Sequence, residues 1–145
     1  MTIQIRAAET ADVAGIFHVR ISVNENVLSM AELAEMGITK DSITQMIADD
    51  LCAWVAVQGP EIIGFSMIDP VEGSLFAVFV LPSHEGLGIG RRLVEAAEKQ
   101  LFTRHTVAWL ETGRTTRAAG FYRHLGWTKE QDAGNGDIRL EKRQS

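Results

Sequence analysis

Three glycines alternate with other residues at Gly86, Gly88 and Gly90, where an apolar run ending at Val80 leads into a segment with helical periodicity. Glycine has no Cβ, so consecutive backbone N–H groups in such a loop are free to turn toward one point. The first turn of the following helix adds its own unpaired N–H groups and the positive end of its dipole. An ordinary tight turn needs fewer than three glycines, so the sequence favours a loop that binds a phosphate or a diphosphate.

The spacing of apolar residues predicts strands with helices inserted between them. The predicted strands are residues 2–6, 51–57, 61–69, 74–80, 107–111, 127–130 and 137–141, and the predicted helices begin near Thr10 and Ser29 or cover residues 39–50, 88–103 and 116–125. In the first helix, the apolar residues at helical spacing are Val13, Ile16, Phe17 and Ile21. Residues 74–80 are nearly all apolar, which predicts a strand covered on both faces.

The order of these elements predicts the fold class. Short turns join the strands between residues 51 and 80, and one strand-helix-strand crossover follows them. We therefore expect an α/β (α+β) fold in which helices flank a mixed, mostly antiparallel sheet. The length of 145 residues and the even composition predict a single domain over residues 1–145.

Charge and cysteine content exclude several classes of partner. Lys and Arg number 14 against 19 Asp and Glu, and the net charge of −5 repels nucleic acid. No stretch approaches the length of about 18 uncharged apolar residues that a membrane span requires, and no His and Cys cluster has metal-ligand spacing. The lone Cys52 lies in an apolar run and is predicted to be a buried thiol, which favours a reducing cytoplasm. The basic residues that leave an anionic small molecule open as a ligand are Arg91, Arg92, Arg114, Arg117 and Arg123.

Glycine spacing separates this loop from two familiar nucleotide-binding patterns. No Gly-Lys-Ser/Thr triplet occurs, which excludes a Walker loop. A dinucleotide fingerprint needs Gly-x-Gly-x-x-Gly, but its third position is Arg91 when counted from Gly86 and Leu93 when counted from Gly88. Glu111, about 20 residues on, stands where an acidic residue would bind a ribose in that fold. A nucleotide-dependent oxidoreductase is therefore kept as an alternative, which an absence of NAD(H) binding would exclude.

Two segments resemble the motifs of the GCN5-related N-acetyltransferases. Residues 85–90 are similar to the family's Arg/Gln-x-x-Gly-x-Gly/Ala loop, with Gly88 and Gly90 at its two glycine positions. Residues 117–127 are similar to its second motif, an Arg-Ala helix that ends in an aromatic-Tyr pair and then Gly-Trp. The resemblance covers essentially the whole chain. It implies acetyl-CoA as cosubstrate and a parallel strand pair that splays apart.

The resemblance also implies roles for individual residues. Tyr122 would protonate the departing thiolate of coenzyme A, and the backbone N–H groups of residues 80–81 would polarise the thioester carbonyl. The cofactor-binding set that it implies is Phe79, Val80, Leu81, Glu85, Gly86, Leu87, Gly88, Ile89, Gly90, Arg91, Thr115, Ala118 and Phe121. Two of these depart from the family pattern, because Glu85 replaces Arg or Gln at the start of the loop and Thr115 replaces Asn.

The acceptor side is less determined by the sequence. An amine must lose a proton before it attacks a thioester, and Glu111 at a strand end is the first candidate for the base, ahead of Asp69 and Glu72. Asn24 and Glu25 lie in the region that covers the acceptor in the family. Together with the net negative charge, they point to a cationic or amine substrate.

These observations predict direct transfer of an acetyl group to a primary amine of a small molecule or peptide, within a ternary complex. A non-catalytic acyl-CoA binding or sensing domain on the same fold is the alternative, and Tyr122→Phe would separate the two. The oligomeric state is open, with a homodimer among the options.

Overall fold

The computed structural model describes residues 2–145 and places them around one seven-stranded sheet. The strands are β1 (Ile3–Ala7), β2 (Ala53–Gln58), β3 (Glu61–Asp69), β4 (Ser74–Val80), β5 (Val107–Gly113), β6 (Thr128–Gly134) and β7 (Asp137–Arg143). The helices are α1 (Val13–Ile21), α2 (Met30–Glu35), α3 (Lys40–Asp49), α4 (Ile89–Leu101) and α5 (Arg117–His124). Every predicted element is present, with ends that differ by a few residues.

The strand order across the sheet is β1-β2-β3-β4-β5-β7-β6. Neighbouring strands are antiparallel except for β4 and β5, which are parallel. The mixed, mostly antiparallel fold predicted from the sequence is therefore confirmed. The last strand, β7, lies between β5 and β6, a position that the order of elements along the chain did not predict.

Local sequence signals set the ends of the short helices. Ser29 Oγ accepts a hydrogen bond from the Glu32 amide, and Glu32 Oε1 accepts one from the Ser29 amide, both at 3.1 Å. Thr39 and Ser42 form the same reciprocal cap at the start of α3. Gly37 follows α2 with a φ of +81°, which places the left-handed residue just after the helix end.

Helices cover both faces of the sheet around β4. Phe79 contacts α1, where the Arg20 guanidinium lies 4.3 Å from the centre of its ring. Val80 contacts the start of α4, because its Cγ2 is 4.0 Å from where a Cβ at Gly90 would be. Successive side chains of a strand point to opposite faces, so α1 and α4 lie on opposite sides of the sheet. We call these sides the α1 face and the α4 face.

The prediction that residues 74–80 would be covered on both faces is wrong for the second half of the strand. Phe76 is 48% exposed, and the side chains after it are half-buried. The pairing with β3 shifts here, since Met67 pairs with Ala77 whereas Ile68 pairs with Leu75. Phe76 is thus the extra residue of a β-bulge, which bends the strand and disrupts its regular pairing.

The predicted core face of α1 also needs one correction. Ile21 is 41% exposed, whereas Arg20 is only 8% exposed. Arg20 follows Ile16 by four residues and Phe17 by three, so helical spacing brings it to the buried side. The buried face of α1 therefore ends with the charged side chain of Arg20 and not with the apolar side chain of Ile21 that the sequence predicted.

Cys52 lies just before β2 and is 2% exposed. Its Sγ lies 3.5 Å from the Met46 carbonyl oxygen, to which it donates, and burial raises the pKa of the thiol to about 11. The prediction of a buried thiol is confirmed. Over residues 2–145, the helices are all too short or too polar to cross a membrane.

Candidate functional site

The candidate site begins where β4 and β5 separate. The two strands pair only at Ser74 and Trp109, near the start of β4, and the Trp109 amide donates to the Gly73 carbonyl at 3.1 Å. Beyond that point, no strand of the described residues 2–145 pairs with the C-terminal half of β4 on its β5 side. The splayed parallel pair that the family resemblance implied is therefore present, and it opens a gap within the sheet.

The backbone of β4 presents N–H groups to this gap. The Leu81 amide donates to the Ile63 carbonyl of β3 at 2.8 Å, so it is already engaged and the predicted role of the Leu81 N–H is wrong. In an antiparallel pair, hydrogen-bonded and non-hydrogen-bonded positions alternate. Val80 and Gly64 form the neighbouring non-hydrogen-bonded pair, so the Val80 N–H points away from β3 and toward the gap.

The glycine loop follows directly after the end of β4. Gly86 and Gly88 have φ values of +78° and +77°, which only glycine adopts without strain, and a Cβ at either position would meet nothing within 4 Å. Gly88 is the N-cap residue of α4. Among residues 2–145, no acceptor pairs with the backbone N–H groups of residues 86–91. The loop thus combines unpartnered donors, open space and a helix N-terminus, as the sequence predicted.

The second sequence motif lies directly against this loop. A Cβ at Gly90 would be 3.3 Å from Phe121 Cζ, so the absence of a side chain at Gly90 allows α5 to approach the start of α4. Ala118 and Phe121 are both half-buried on α5. Thr115 is exposed just before the helix, and its neighbour Thr116 forms the N-cap by accepting from the Ala119 amide at 3.3 Å.

Tyr122 is the most enclosed titratable side chain of α5. It is 8% exposed, and its ring lies 5.3 Å from that of Phe121 and 6.3 Å from that of Trp127, centre to centre. Burial raises the pKa of the phenol, so it stays protonated at neutral pH. Over residues 2–145, its hydroxyl has no hydrogen-bond partner, yet it is not among the fully enclosed polar atoms. The oxygen therefore keeps access to solvent and is free to donate.

The charged side chains around the loop pair with one another. Glu85 turns toward Arg117, whose Nη2 lies 3.3 Å from Glu85 Oε2. Arg91 pairs with Glu95 of its own helix at 3.0 Å, which fits a solvated helix face rather than a contact with the loop. Arg117 Nε also lies 3.9 Å from Glu25 Oε1, so one guanidinium lies between the glycine loop and the segment that joins α1 to α2.

The remaining predicted residues, three for the cofactor and one for the acceptor, differ in exposure. Leu87 is 61% exposed at the tip of the loop, whereas Ile89 is 1% exposed and offers only its backbone to a ligand. Phe79 is half-buried on the α1 face, where its ring stacks on Phe65 with centres 5.7 Å apart. Asn24 is exposed in the segment between α1 and α2.

Glu111 lies on the opposite face of the sheet from α4. Ala108 pairs with Lys142 of β7, and Lys142 Nζ contacts Glu98 of α4 at 2.9 Å, so this pair marks the α4 face. Glu111 is three residues further along β5, and it therefore points to the α1 face. Its side chain is exposed and makes no ion pair among residues 2–145. Arg139, opposite it on β7, instead stacks on Trp109 at 4.4 Å.

Sequence reasoning missed Arg20. Its guanidinium lies over Phe79, beside the open end of the gap, and Nη1 donates to the Asn26 carbonyl at 3.1 Å. The available signal was its spacing from Ile16 and Phe17, which placed an arginine on the buried side of an otherwise apolar helix. Of the weaker candidates for the base, Asp69 is the last residue of β3 and Glu72 lies in the turn that follows, at the end of β4 away from the glycine loop.

Two shallow depressions lie elsewhere on the molecule, around β1, the start of α1 and the turn between β2 and β3. Their best-defined polar feature is the ion pair between Arg6 and Asp12 at 2.8 Å. Neither depression includes the glycine loop, Tyr122 or Glu111. The site described above is defined by free backbone donors and by a gap in the sheet.

Comparison with known proteins connects this geometry to a family. A family model described as "Acetyltransferase (GNAT) family" matches residues 15–127. No curated protein matches the chain.

Several solved structures share the fold at low identity. PaiA N-acetyltransferase from Thermoplasma acidophilum, in complex with coenzyme A, has a TM-score of 0.80 at 19% identity and covers 99% of this chain and 100% of its own. The ribosomal-protein-S18-alanine N-acetyltransferase from Escherichia coli has a TM-score of 0.72 at 19% identity, over 98% of this chain and 94% of its own. YncA from Salmonella typhimurium, with its cofactor acetyl-CoA, has a TM-score of 0.72 at 18% identity, over 99% and 94%.

Proposed function

Because the chain belongs to the GNAT family of acetyltransferases, we propose that it transfers an acetyl group from acetyl-CoA to a primary amine by direct attack in a ternary complex. One observation carries the proposal. The unpartnered amides of the glycine loop lie at the end of the strand that diverges from its parallel neighbour. A single ligand can therefore be bound by the loop and still extend into the gap.

The donor side fits a diphosphate. Within the part of the chain that the structure describes, the amides of residues 86–91 have no acceptor, the two positive-φ glycines leave space in front of them, and the dipole of α4 favours an anion. Glu85 does not oppose this, since Arg117 neutralises its carboxylate. Two structures with the same fold were solved with coenzyme A or acetyl-CoA, which supports the same ligand class here.

We assign three roles to groups of this chain. Acetyl-CoA supplies the thioester that the amine attacks. The Val80 N–H, aimed at the gap, polarises the carbonyl oxygen, and Glu111 accepts the proton that the amine loses. Tyr122 keeps its proton because of burial, and its hydroxyl donates that proton to the departing sulfur. The apolar surroundings that raise the pKa of the phenol also disfavour a free thiolate beside it, so the sulfur becomes more basic as it departs and accepts the proton.

Direct attack is favoured over a covalent acyl-enzyme. A thiol carrier has to reach the gap and has to ionise. Cys52 precedes β2, which is separated from the gap by β3 and β4, and burial raises the pKa of its thiol to about 11. Its reduced, buried state also agrees with the cytoplasm as the site of action, which we include in the proposal.

The test compares the wild-type chain with Tyr122→Phe. Calorimetry with coenzyme A measures donor binding, and thiol release from acetyl-CoA is followed over polyamines, aminoglycosides, amino acids and peptide N-termini. We expect both proteins to bind coenzyme A equally, and turnover to fall by roughly 100-fold or more in the variant. An acyl-CoA sensor would bind coenzyme A and release no thiol with any amine, and a chain that binds NAD(H) but not coenzyme A would overturn the family-based proposal altogether.

A further inference from the structure

Arg20 is a buried cation without an acidic partner. The residue is 8% exposed, and among residues 2–145 no carboxylate lies within ion-pair distance of its guanidinium. Burial alone lowers its pKa, with no charged neighbour to offset the loss of hydration. Buried arginines are normally paired, because removing a charge from water without a partner is strongly unfavourable.

The contacts that Arg20 does make leave most of its donors unused. Nη1 donates to the Asn26 carbonyl at 3.1 Å, and one flat side of the guanidinium covers the Phe79 ring at 4.3 Å. The group has five N–H donors in a rigid fork. Nε and Nη2 donate to no partner within residues 2–145 and are not among the fully enclosed atoms, so they keep access to solvent. The C-terminus of α1 offsets part of the charge but leaves these donors unpaired.

The guanidinium of Arg20 lies beside the gap, on the side from which the acceptor would enter. Phe79 belongs to the part of β4 that has lost its β5 neighbour, and it lies on the α1 face. Glu111 lies on the same face, on the strand at the other side of the gap. The donor loop and Tyr122 occupy the α4 face. An amine that reaches the gap from the α1 face therefore has a carboxylate on one flank and an unpaired guanidinium on the other.

We propose that Arg20 binds an anionic group of the acceptor, so that the preferred acceptor is a primary amine that also carries a carboxylate or phosphate. The proposal rests on the acetyltransferase function proposed above and specifies its substrate class. A guanidinium matches both anions through two parallel hydrogen bonds. The Phe79 ring holds the fork in one plane, so little side-chain entropy is lost when the anion binds.

The experiment uses matched pairs of amines that differ in one anionic group. Tyrosine against tyramine tests a carboxylate, and phosphoethanolamine against ethanolamine tests a phosphate. Each is measured by equilibrium binding to the full chain with coenzyme A present and by steady-state acetylation. The proteins are the wild type, Arg20→Met, which keeps the apolar stem over Phe79, and Arg104→Gln as a control, because Arg104 pairs with Asp50 beyond the far end of α4.

We expect the anionic member of at least one pair to bind the wild type roughly 10- to 100-fold more tightly than its partner, the range of a hydrogen-bonded charge pair. Arg20→Met should abolish that preference by raising KM for the anionic member, with KM for the neutral member and for acetyl-CoA unchanged. Arg104→Gln should keep the preference. A preference within the tyrosine pair identifies the anion as a carboxylate, and a preference within the phosphoethanolamine pair identifies it as a phosphate.

Two results would overturn the assignment while leaving the proposed function intact. One is a wild type that binds coenzyme A but does not favour the anionic member in either pair. The other is an Arg20→Met variant that weakens both members equally, as a purely structural side chain would. Failure of the wild type to bind coenzyme A at all would instead reject the proposed function.

Discussion

The two sides of the gap are built from different parts of the chain. On the α4 face, the site consists of backbone amides at residues 86–91 and the hydroxyl of Tyr122, whose ring is buried. On the α1 face, it consists of side chains that come from distant elements, Arg20 from α1 and Glu111 from β5. A backbone site tolerates most side chains as long as the glycines keep their conformation. A side-chain site changes its ligand whenever one residue is replaced.

This difference explains why the donor is easier to identify than the acceptor. Free amides at a helix N-terminus have one chemistry, which is to bind an anion. A guanidinium and a carboxylate on either side of an opening are compatible with many amines. The distance between the two groups and the other contacts they make are what restrict the acceptor. The following experiments test whether substitutions on the α4 face change donor binding and substitutions on the α1 face change the reaction with the acceptor.

The largest effect is expected from Glu111→Gln. The amide cannot accept the amine proton, so turnover should fall by roughly 100-fold or more at neutral pH. Affinity for coenzyme A should not change, because Glu111 lies on the α1 face. Steady-state rates and calorimetry measure the two quantities, with Glu130→Gln as the control, since Glu130 pairs with Arg123 on the surface. Equal turnover in both variants would remove Glu111 from the mechanism.

A smaller effect is expected from Gly88→Ala. Alanine at a φ of +77° is strained by roughly 1–2 kcal/mol, and relief of that strain would turn the loop amides away from a diphosphate. We expect coenzyme A to bind roughly tenfold more weakly, with the ratio of rates between amines unchanged. Gly136→Ala is the matched control, because Gly136 has a φ of +82° and open space in the β6–β7 turn. It should lose similar stability but keep its affinity for coenzyme A.

A further experiment removes the ion pair between β1 and the residue that precedes α1. Asp12 accepts hydrogen bonds from both terminal nitrogens of Arg6, at 2.8 and 3.0 Å, and this pairing lowers the pKa of its carboxyl. A lowered native pKa stabilises the fold above the ordinary range near 4, and that stability disappears as the pH falls through the lowered value. Asp12→Asn should lower the free energy of unfolding by about 2 kcal/mol at pH 7. Denaturant titrations should show the difference shrinking in acid, and a constant difference would contradict the ion-pair explanation.

The smallest effect compares Gly90, which packs against α5, with Gly120 of α5, where a Cβ would have open space. Gly120→Ala meets nothing within 4 Å and should stabilise the fold by roughly 0.5–1 kcal/mol, through helix propensity alone. Gly90→Ala gains the same propensity but places a Cβ 3.3 Å from Phe121, so the gain should be cancelled. Thermal unfolding measures both. Equal stabilisation would show that α5 is not closely fixed against the glycine loop.

The sequence predicted the parts of the molecule that depend on neighbouring residues. The cap at Ser29 and Glu32, the turn at Gly37 and the glycine loop are local signals, and each has the predicted geometry. The pairing of Glu85 with Arg117 was not predicted, because 32 residues separate them and only the fold brings them together. The helical spacing of Arg20 from Ile16 and Phe17 was a local signal of its burial, but its contact with the Phe79 ring of β4 depends on the fold.

The place of β7 in the sheet determines when the site is finished during synthesis. The strand that carries Glu111 borders the gap on one edge, and its other edge pairs with Asp137–Arg143. Translation releases the chain from its N-terminus, so the glycine loop and both helices beside it are made well before that pairing is available. The edge of the gap that carries Glu111 therefore depends on the last strand to be synthesised, and the acceptor side is complete only once residues 137–143 have paired with β5.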